Sequence, residues 1–478
     1  MRIAGVYPCK ISMDPKIQHA VDEPYGLEMI LAVARQEGHD AEIFVPAEES
    51  GSEVVPVAEQ EMIDSIVDYK PDIVGFSLYT CQYPIGKNIA RAVKERLPEA
   101  KIVAGNRYPS FLGERIEEPF DFFVVKEGEE TFRELLRTLQ NGHNYDAVKG
   151  LVYRRGERSV FTGQRERIMD LDSLPNAARF PVFLKQSYRG ISIPPVSSNP
   201  NFAIVEYSRC CYNNCNFCDN GGFWGNKVTF RSPERVVDEM AELKESGVDI
   251  FYFMDLNFTA VPKRARSLCQ TMLKHDLNAS WYCMSNTATA EKDEELLALM
   301  KEAGCHKIAW GVESTSDRAL ERMNKRVGDC LTSNDQTCRV LQKSMETGMI
   351  NQGFYIIGFP WETEESIFSD AASLQYVPLH ILNIGIFTPI PLSRFHSDMI
   401  TQGYVLDSDL KQHDRNNLVY NHRSLTNNTI KNAQEKIYND FYSSPGYAER
   451  LRTTCRIDSR FLRAFNDYFE FIGKEVGI

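Results

Sequence analysis

Short apolar runs alternate with longer segments of helical periodicity along most of the chain. Residues 2–7 form a strand-like run, and Leu27, Ile30, Leu31 and Ala34 recur at helical spacing over residues 26–38. Residues 41–45 predict a second strand. Val57, Met62, Ile66 and Val67 give an apolar side to a helix predicted over 54–69. Residues 73–78 read as a buried strand followed by a helix over 84–96. Residues 101–105 are a further strand, with a loop and helix to about residue 117, and residues 122–125 precede a helix over 130–139. Alternation of this kind predicts a Rossmann-like parallel sheet with helices on both faces. Such sheets bind ligands at the carboxyl ends of their strands. The loops at those ends are Tyr79-Thr80-Cys81-Gln82-Tyr83, Gly105-Asn106-Arg107-Tyr108 and Lys126-Glu127-Gly128-Glu129.

The pattern weakens over residues 151–200. One short strand follows Gly150, and residues 170–175 and the Pro/Ser-rich stretch 193–200 read as linker. A second series then begins. Strands are predicted at 202–207, 249–254, 280–284, 306–310, 351–357 and 382–387, separated by helices such as 294–303 and 333–347. Ser232 is placed as an N-cap with Pro233 at the first helical position and Glu234 in the first turn. Six alternating units predict a parallel (β/α) barrel, partial or full, with its chemistry at the carboxyl ends of the strands. Helices are expected over 426–441 and 459–476, the second with Phe461, Phe465, Phe469 and Ile472 on one stripe that packing explains. The resulting α/β organisation is a first domain over 1–150, a linker over 151–200, a barrel over 201–400 and a helical C-terminal region over 401–478.

A chain of 478 residues exceeds what one core organises. Its 43% hydrophobic and 25% charged residues fit a soluble globular protein. No run approaches the ~20 apolar residues of a membrane span, and the opening apolar run is too short for a signal segment, so a cytoplasmic location is expected. The net charge of −12 disfavours nucleic acid as a partner. Twelve cysteines without a secretory signal point to reduced thiols and metal chemistry.

Three of those cysteines stand out: Cys211-Tyr-Asn-Asn-Cys215-Asn-Phe-Cys218, spaced C-x3-C-x2-C. Clustered thiolates select zinc, copper(I) or iron–sulfur. Structural zinc wants four protein ligands, yet no histidine follows closely and the next cysteine is Cys269. Three thiolates on a cubane of four irons would leave one iron open to a small molecule. A zinc knuckle is the competing interpretation. Cys210 adjoins the motif at the wrong spacing and reads as a spectator thiol. The remaining cysteines are scattered and form no C-x2-C pair, and His380 and His396 receive no role.

Two stretches resemble known families. Pro71-Asp-Ile-Val-Gly-Phe-Ser77, Val103-Ala-Gly105 and the run from Asp121 to Thr131 resemble the cobalamin-binding domain that precedes many radical SAM enzymes. Two departures are the absent D-x-H-x-x-G motif and Ala104-Gly-Asn-Arg-Tyr108 in place of Gly-Gly-Pro-His. Residues 200–400 resemble a radical SAM domain. The matching parts are the cysteine triad with Phe217, Asp255-Leu-Asn-Phe258, Gly311-Val-Glu-Ser-Thr-Ser316, Arg322-Met-Asn-Lys325 and the strand ending Gly358-Phe-Pro-Trp-Glu362. Asn286 stands where many relatives carry Arg, and Pro391-Leu-Ser393 where many carry Pro-Gly-Thr.

The resemblance to this methyltransferase and cyclase group implies a [4Fe-4S] cluster on Cys211, Cys215 and Cys218. It implies S-adenosyl-L-methionine (SAM) contacts at Phe217, Asp255, Glu313, Ser314, Gly358 and Glu362. Cobalamin would lie against Tyr79, Thr80, Cys81, Gly105, Asn106, Arg107, Glu127 and Gly128. An electron donor such as flavodoxin or ferredoxin and a small-molecule substrate are implied. So is a reaction in which a 5′-deoxyadenosyl radical activates an unreactive carbon and methylcobalamin supplies a methyl group. Cyclisation, ring contraction or oxidation without methyl transfer is the alternative, and a non-enzymatic cobalamin sensor a third class. Methylthiolation of tRNA fits less well, because only Cys9 and Cys81 precede the barrel where such enzymes carry a second cysteine set.

Overall fold

Seven strands build the first sheet of the computed structural model: β1 Arg2–Val6, β2 Asp40–Phe44, β3 Ile73–Ser77, β4 Lys101–Gly105, β5 Phe122–Val124, β6 Leu151–Arg155 and β7 Arg158–Phe161. The structure describes residues 1–8, 23–50, 53–142, 144–184, 201–293, 295–327 and 330–471. Cys9, the 193–200 stretch and the end of the predicted C-terminal helix lie outside the described residues. The strand order is β2-β1-β3-β4-β5-β6-β7, parallel through β5 and antiparallel after it. The first five strands follow the doubly wound order whose switch point lies between β1 and β3.

Both faces of this sheet are covered, which is why its strands read as nearly continuous apolar runs. Ile3, Ile73 and Val103 pack with Leu27, Leu31, Phe132 and Leu135 on one side. Ala4, Val74 and Ile102 pack with Met62, Ile66, Ile89 and Val93 on the other.

Three expectations are corrected here. The helix predicted from residue 54 is Glu59–Tyr69, and Glu53–Pro56 is a strand paired with Ala47–Ser50. Pro56 disfavours helical backbone at the residue before it, and Val54 and Val55 favour a strand. The helix expected to reach residue 117 is only Arg107–Leu112. The linker assigned to 151–200 opens with β6 and β7, a hairpin that adds to the edge of β5. Gly156, at φ +64°, takes the first turn position of that hairpin. The chain accordingly divides into one unit of Met1–Ser187 with Asp409–Lys411 and a second of Tyr188–Ser408 with Gln412–Ile478.

The second unit carries β8 Phe202–Val205, β9 Ile250–Phe253, β10 Ser280–Ser285, β11 Cys305–Glu313, β12 Ile350–Ile357 and β13 Ile381–Ile386. They lie side by side in chain order and all run parallel. Among the described residues β13 does not pair back to β8, so the barrel is partial.

Successive side chains alternate between faces. Phe251, Phe253, Trp281, Cys283, Ile308, Trp310 and Val312 form a wholly buried face. Tyr252, Met284, Gly311, Phe354, Ile356 and Asn383 occupy the opposite face and are partly exposed. That second face is the accessible interior of the partial barrel.

The open edge is closed by side chains of one helix and by one loop carbonyl rather than by a strand. Leu382 N donates to Tyr442 Oη (3.2 Å), Ile384 N to Tyr438 Oη (2.8 Å) and Ile386 N to the Arg415 carbonyl (2.7 Å). Gln434 Nε2 donates to the Ile384 carbonyl (2.7 Å). The helix Asn427–Tyr442 thus satisfies the backbone groups that an unprotected edge would offer to another chain. The C-terminal region is part of this unit, not a domain of its own. No helix among the described residues is long and apolar enough to cross a membrane.

Candidate functional site

The cysteine loop leaves the carboxyl end of β8 and is clamped at its neck. Ser208–Arg209 pairs antiparallel with Thr229–Phe230. Arg209 Nε bridges both oxygens of Glu206 at 3.0 Å, and Arg231 pairs with Glu239 at 2.5 Å. Asp255, just beyond β9, is fully buried. One carboxylate oxygen accepts from Tyr207 N (3.1 Å) and the other from the Ser208 hydroxyl. Burial pushes its carboxyl up to about 7, against the pull of those donors. Both oxygens of Asp255, which the sequence offered as a SAM contact, thus hold the start of the loop.

Within the loop, Cys210 adopts φ +80° and is wholly buried, its thiol donating to the carbonyls of Cys211 and Gly225 at 3.4 Å each. Cys211, Cys215 and Cys218 stay partly exposed. Cys218 N donates to the Cys215 carbonyl (3.1 Å), Asn220 N to Cys218 Sγ (3.4 Å) and Asn220 Nδ2 to the Cys211 carbonyl (2.6 Å). A distant segment finishes the clamp. Asn216 N donates to the Met323 carbonyl (2.8 Å), Asn216 Nδ2 to the Arg322 carbonyl (3.0 Å) and Asn324 Nδ2 to the Asn214 carbonyl (2.7 Å).

That segment also delivers Lys325, which the sequence offered only as the end of a matching loop. Its ammonium pairs with Glu313 Oε1 at 2.8 Å and donates to the Gly311 carbonyl. Lys325 is 2% exposed and Glu313 8% exposed, so the pair is buried. A Cβ at Gly311 would lie 2.6 Å from Glu313 Oε1 and 2.7 Å from Lys325 Nζ, so glycine makes the cradle possible. Glu313 ends β11 at φ +65°, which turns its side chain back to the lysine. Partial burial pushes the Cys215 thiol up to about 12, and Lys325 is the largest influence in the opposite sense. Three thiols on one clamped loop beside a buried cation fit an anionic thiolate-bound iron–sulfur cluster. Among the described residues no three Cys, His, Asp or Glu side chains converge as they would around a single metal ion.

The other expected SAM residues divide. Phe217 is partly exposed and packs on the cluster of Phe359, Phe387 and Met399. Ser314 is buried, and its hydroxyl accepts from Ser316 N (3.1 Å) within its own turn. Gly358 adopts φ +87°, and a Cβ there would lie 2.2 Å from Ile430 Cδ1. Glu362 Oε2 accepts from Gly358 N (2.6 Å) and Phe359 N (2.8 Å). It is 6% exposed, and this oxygen shapes the loop after β12.

Burial pushes the Glu362 carboxyl from 4.5 up to about 7. A raised carboxyl contributes stability that is present below pH ~4.5 and lost as pH rises through ~7. In urea titrations of the metal-free protein, Glu362→Gln is expected to gain roughly 3 kcal/mol on wild type between those limits. Parallel stability curves across that range would refute the assignment.

In the first unit, Tyr79, Thr80 and Cys81 follow β3, with Tyr79 44% exposed. Gly105 ends β4. Asn106, at φ +81°, caps the next short helix by accepting from Arg107 N (2.8 Å), and its Nδ2 donates to Ser77 Oγ (2.9 Å). These loops share the carboxyl edge of the sheet, and a Cβ at Gly75 would meet nothing within 4 Å. Tyr79, Thr80, Cys81, Gly105, Asn106 and Arg107 lie on those loops. Glu127 and Gly128 have other contacts. Glu127 Oε2 accepts from Ile168 N (3.1 Å) and pairs with Arg167 (3.2 Å), tying down the chain after the hairpin. Gly128 lets the helix Tyr25–Gln36 approach, since a Cβ would lie 3.0 Å from Ile30 Cδ1.

Comparison with known proteins agrees with this geometry. Residues 21–136 match the family model of the B12 binding domain, and residues 205–372 that of the Radical SAM superfamily. The chain is 27% identical to an uncharacterised methyltransferase of Pyrococcus horikoshii over 449 residues, covering 93% of each protein. It is 25% identical to the anaerobic magnesium-protoporphyrin IX monomethyl ester cyclase of a Synechocystis species, covering 72% of this chain and 66% of that one. Its fold is like that of the radical S-adenosylmethionine methyltransferase TsrM from Kitasatospora setae, solved with cobalamin and a [4Fe-4S] cluster. The TM-score is 0.70 at 13% identity, over 96% of this chain and 99% of that one. The radical SAM domain implies a [4Fe-4S] cluster and SAM, and the B12-binding domain implies cobalamin. The chain is a radical SAM enzyme that carries an N-terminal B12-binding domain.

Proposed function

We propose that the protein methylates an unactivated carbon of a small-molecule intermediate, using SAM both as radical source and as methyl donor. The observation that carries this is the clamped triad of Cys211, Cys215 and Cys218 beside the buried Glu313–Lys325 pair, in a chain that also has a B12-binding domain. When bound, the cluster supplies the electron that splits SAM into methionine and a 5′-deoxyadenosyl radical, and cobalamin carries the methyl group. The protein's part is positioning. The three cysteines would hold the cluster, leaving one iron open to the amino and carboxylate groups of SAM. Glu313, fixed by Lys325, offers its free oxygen toward SAM, and Phe217 offers a ring to the adenine. Tyr252, Met284, Phe354 and Asn383, on the accessible face of the sheet, line the substrate space. A flavodoxin or ferredoxin in the cytoplasm supplies electrons.

The test is anaerobic reconstitution with iron, sulfide, cobalamin, SAM and a reductant. Methylcobalamin together with S-adenosylhomocysteine is the expected outcome. The likeness to a ring-forming cyclase supplies the second reading: 5′-deoxyadenosine without S-adenosylhomocysteine would favour it. Formation of neither product would leave a cobalamin sensor and overturn both.

A further inference from the structure

We infer that Asn257 is a positioning residue that donates an N–H···S hydrogen bond to Cys211 and so raises the reduction potential of the cluster held there. This rests on the proposal that Cys211, Cys215 and Cys218 bind a [4Fe-4S] cluster. Asn257 lies just beyond β9, two residues after Asp255, and is 1% exposed. Its carboxamide oxygen is surrounded by donors. Asn286 N and Thr289 Oγ1 reach Oδ1 at 3.1 Å each, Ser285 Oγ at 3.3 Å and Thr259 Oγ1 at 3.4 Å. The hydroxyls of Ser285 and Thr289 also meet the Thr259 hydroxyl at 2.5 and 2.6 Å.

The backbone N–H of Asn286 can only donate, so the atom facing it must be the oxygen. This fixes which way the amide points, a choice that distance alone leaves open. The NH2 group is then directed away from the hydroxyls, with Nδ2 4.0 Å from Cys211 Sγ, the long limit for a sulfur acceptor. The Asn286 backbone N–H and a mutually bonded trio of hydroxyls, from β10, the turn after it and the β9 loop, hold one amide so that its positive end meets the Cys211 sulfur.

The sign of the effect follows from charge. Reduction adds an electron to a cluster whose thiolate ligands are already anionic. A donor aimed at one of those sulfurs stabilises the reduced form more than the oxidised one, and hydrogen bonds to sulfur are among the factors that set iron–sulfur potentials. A purely structural amide would affect folding and leave the potential alone.

The experiment is an EPR-monitored redox titration of the reconstituted full-length protein, with iron content and visible absorbance measured in parallel. For Asn257→Ala, the reduced-to-oxidised ratio at a fixed solution potential is expected to fall about tenfold, a midpoint about 59 mV lower for a one-electron couple. Asn257→Asp keeps an acceptor for the Asn286 N–H and the hydroxyl trio and turns a carboxylate oxygen toward the sulfur, so its fall should be larger. Thr289→Val loosens the anchor and should give a smaller fall of the same sign. If Asn257→Ala fails to load iron, the Asp and Val variants decide. Loaded variants with the wild-type midpoint overturn the inference and leave the function intact. Wild-type protein that loads no cluster overturns the proposed function instead.

Discussion

Cys215→Ala is expected to lose the cluster's visible absorbance and all 5′-deoxyadenosine formation. The loss should be complete because, among the described residues around the loop, no other thiol is placed to substitute. Cys210 is the nearest in sequence, but its backbone turns it inward and its thiol is spent on two carbonyls. Cys269, Cys283 and Cys305 are fully buried. Cys210→Ala is the control: it should keep cluster and turnover, with a stability loss of about 1 kcal/mol for a small buried thiol and its weak hydrogen bonds. Absorbance spectra and product chromatography check both variants. Turnover surviving in Cys215→Ala, or vanishing in Cys210→Ala with the fold intact, would contradict the ligand set.

Lys325→Met should be the most destabilising single change at the site. It leaves the Glu313 carboxylate buried and unpaired, and removing one partner of a buried ion pair costs ~3 to 5 kcal/mol. Melting of the cluster-free protein should fall by on the order of 10 °C. Removing both charges behaves differently. Glu313→Gln combined with Lys325→Met leaves no unpaired charge and should recover most of the stability, while SAM binding measured by equilibrium dialysis stays at least tenfold weaker. A single variant as stable as wild type would show that the ion pair is solvated. A double variant that binds SAM normally would remove Glu313 from the site.

Much of the site was legible because its signals are local. The spacing of Cys211, Cys215 and Cys218 and the strand–helix alternation each depend on residues within a few positions of one another. The Gly311 to Ser316 stretch was legible as a strand end, and the structure sets Glu313 there at the end of β11. What a local motif did not show were distant partners. Asp255 and Glu362 follow strands as ligand residues do; Asp255 accepts from Tyr207 N and the Ser208 hydroxyl, and one oxygen of Glu362 accepts from Gly358 N and Phe359 N. Glu127, offered by the sequence as a cobalamin contact, holds Ile168 N and Arg167, about 40 residues on. The hairpin of β6 and β7 had a local signal in Gly156, which the polar residues around it obscured.

Taken alone, the amino-acid sequence determined that two α/β units follow one another, that three thiols share one loop, and which families those stretches resemble. Periodicity and spacing carry that information because they report on neighbours along the chain. Only the folded chain decided that Lys325 grips Glu313, that Asn257 faces Cys211, that Cys210 turns away, and that Tyr438 and Tyr442 close the open edge of the barrel. Those contacts join residues 12, 46 and about 60 positions apart, or hang on one left-handed backbone angle. Burial gives such contacts their strength, and no pattern along the chain states which distant group will be buried against which.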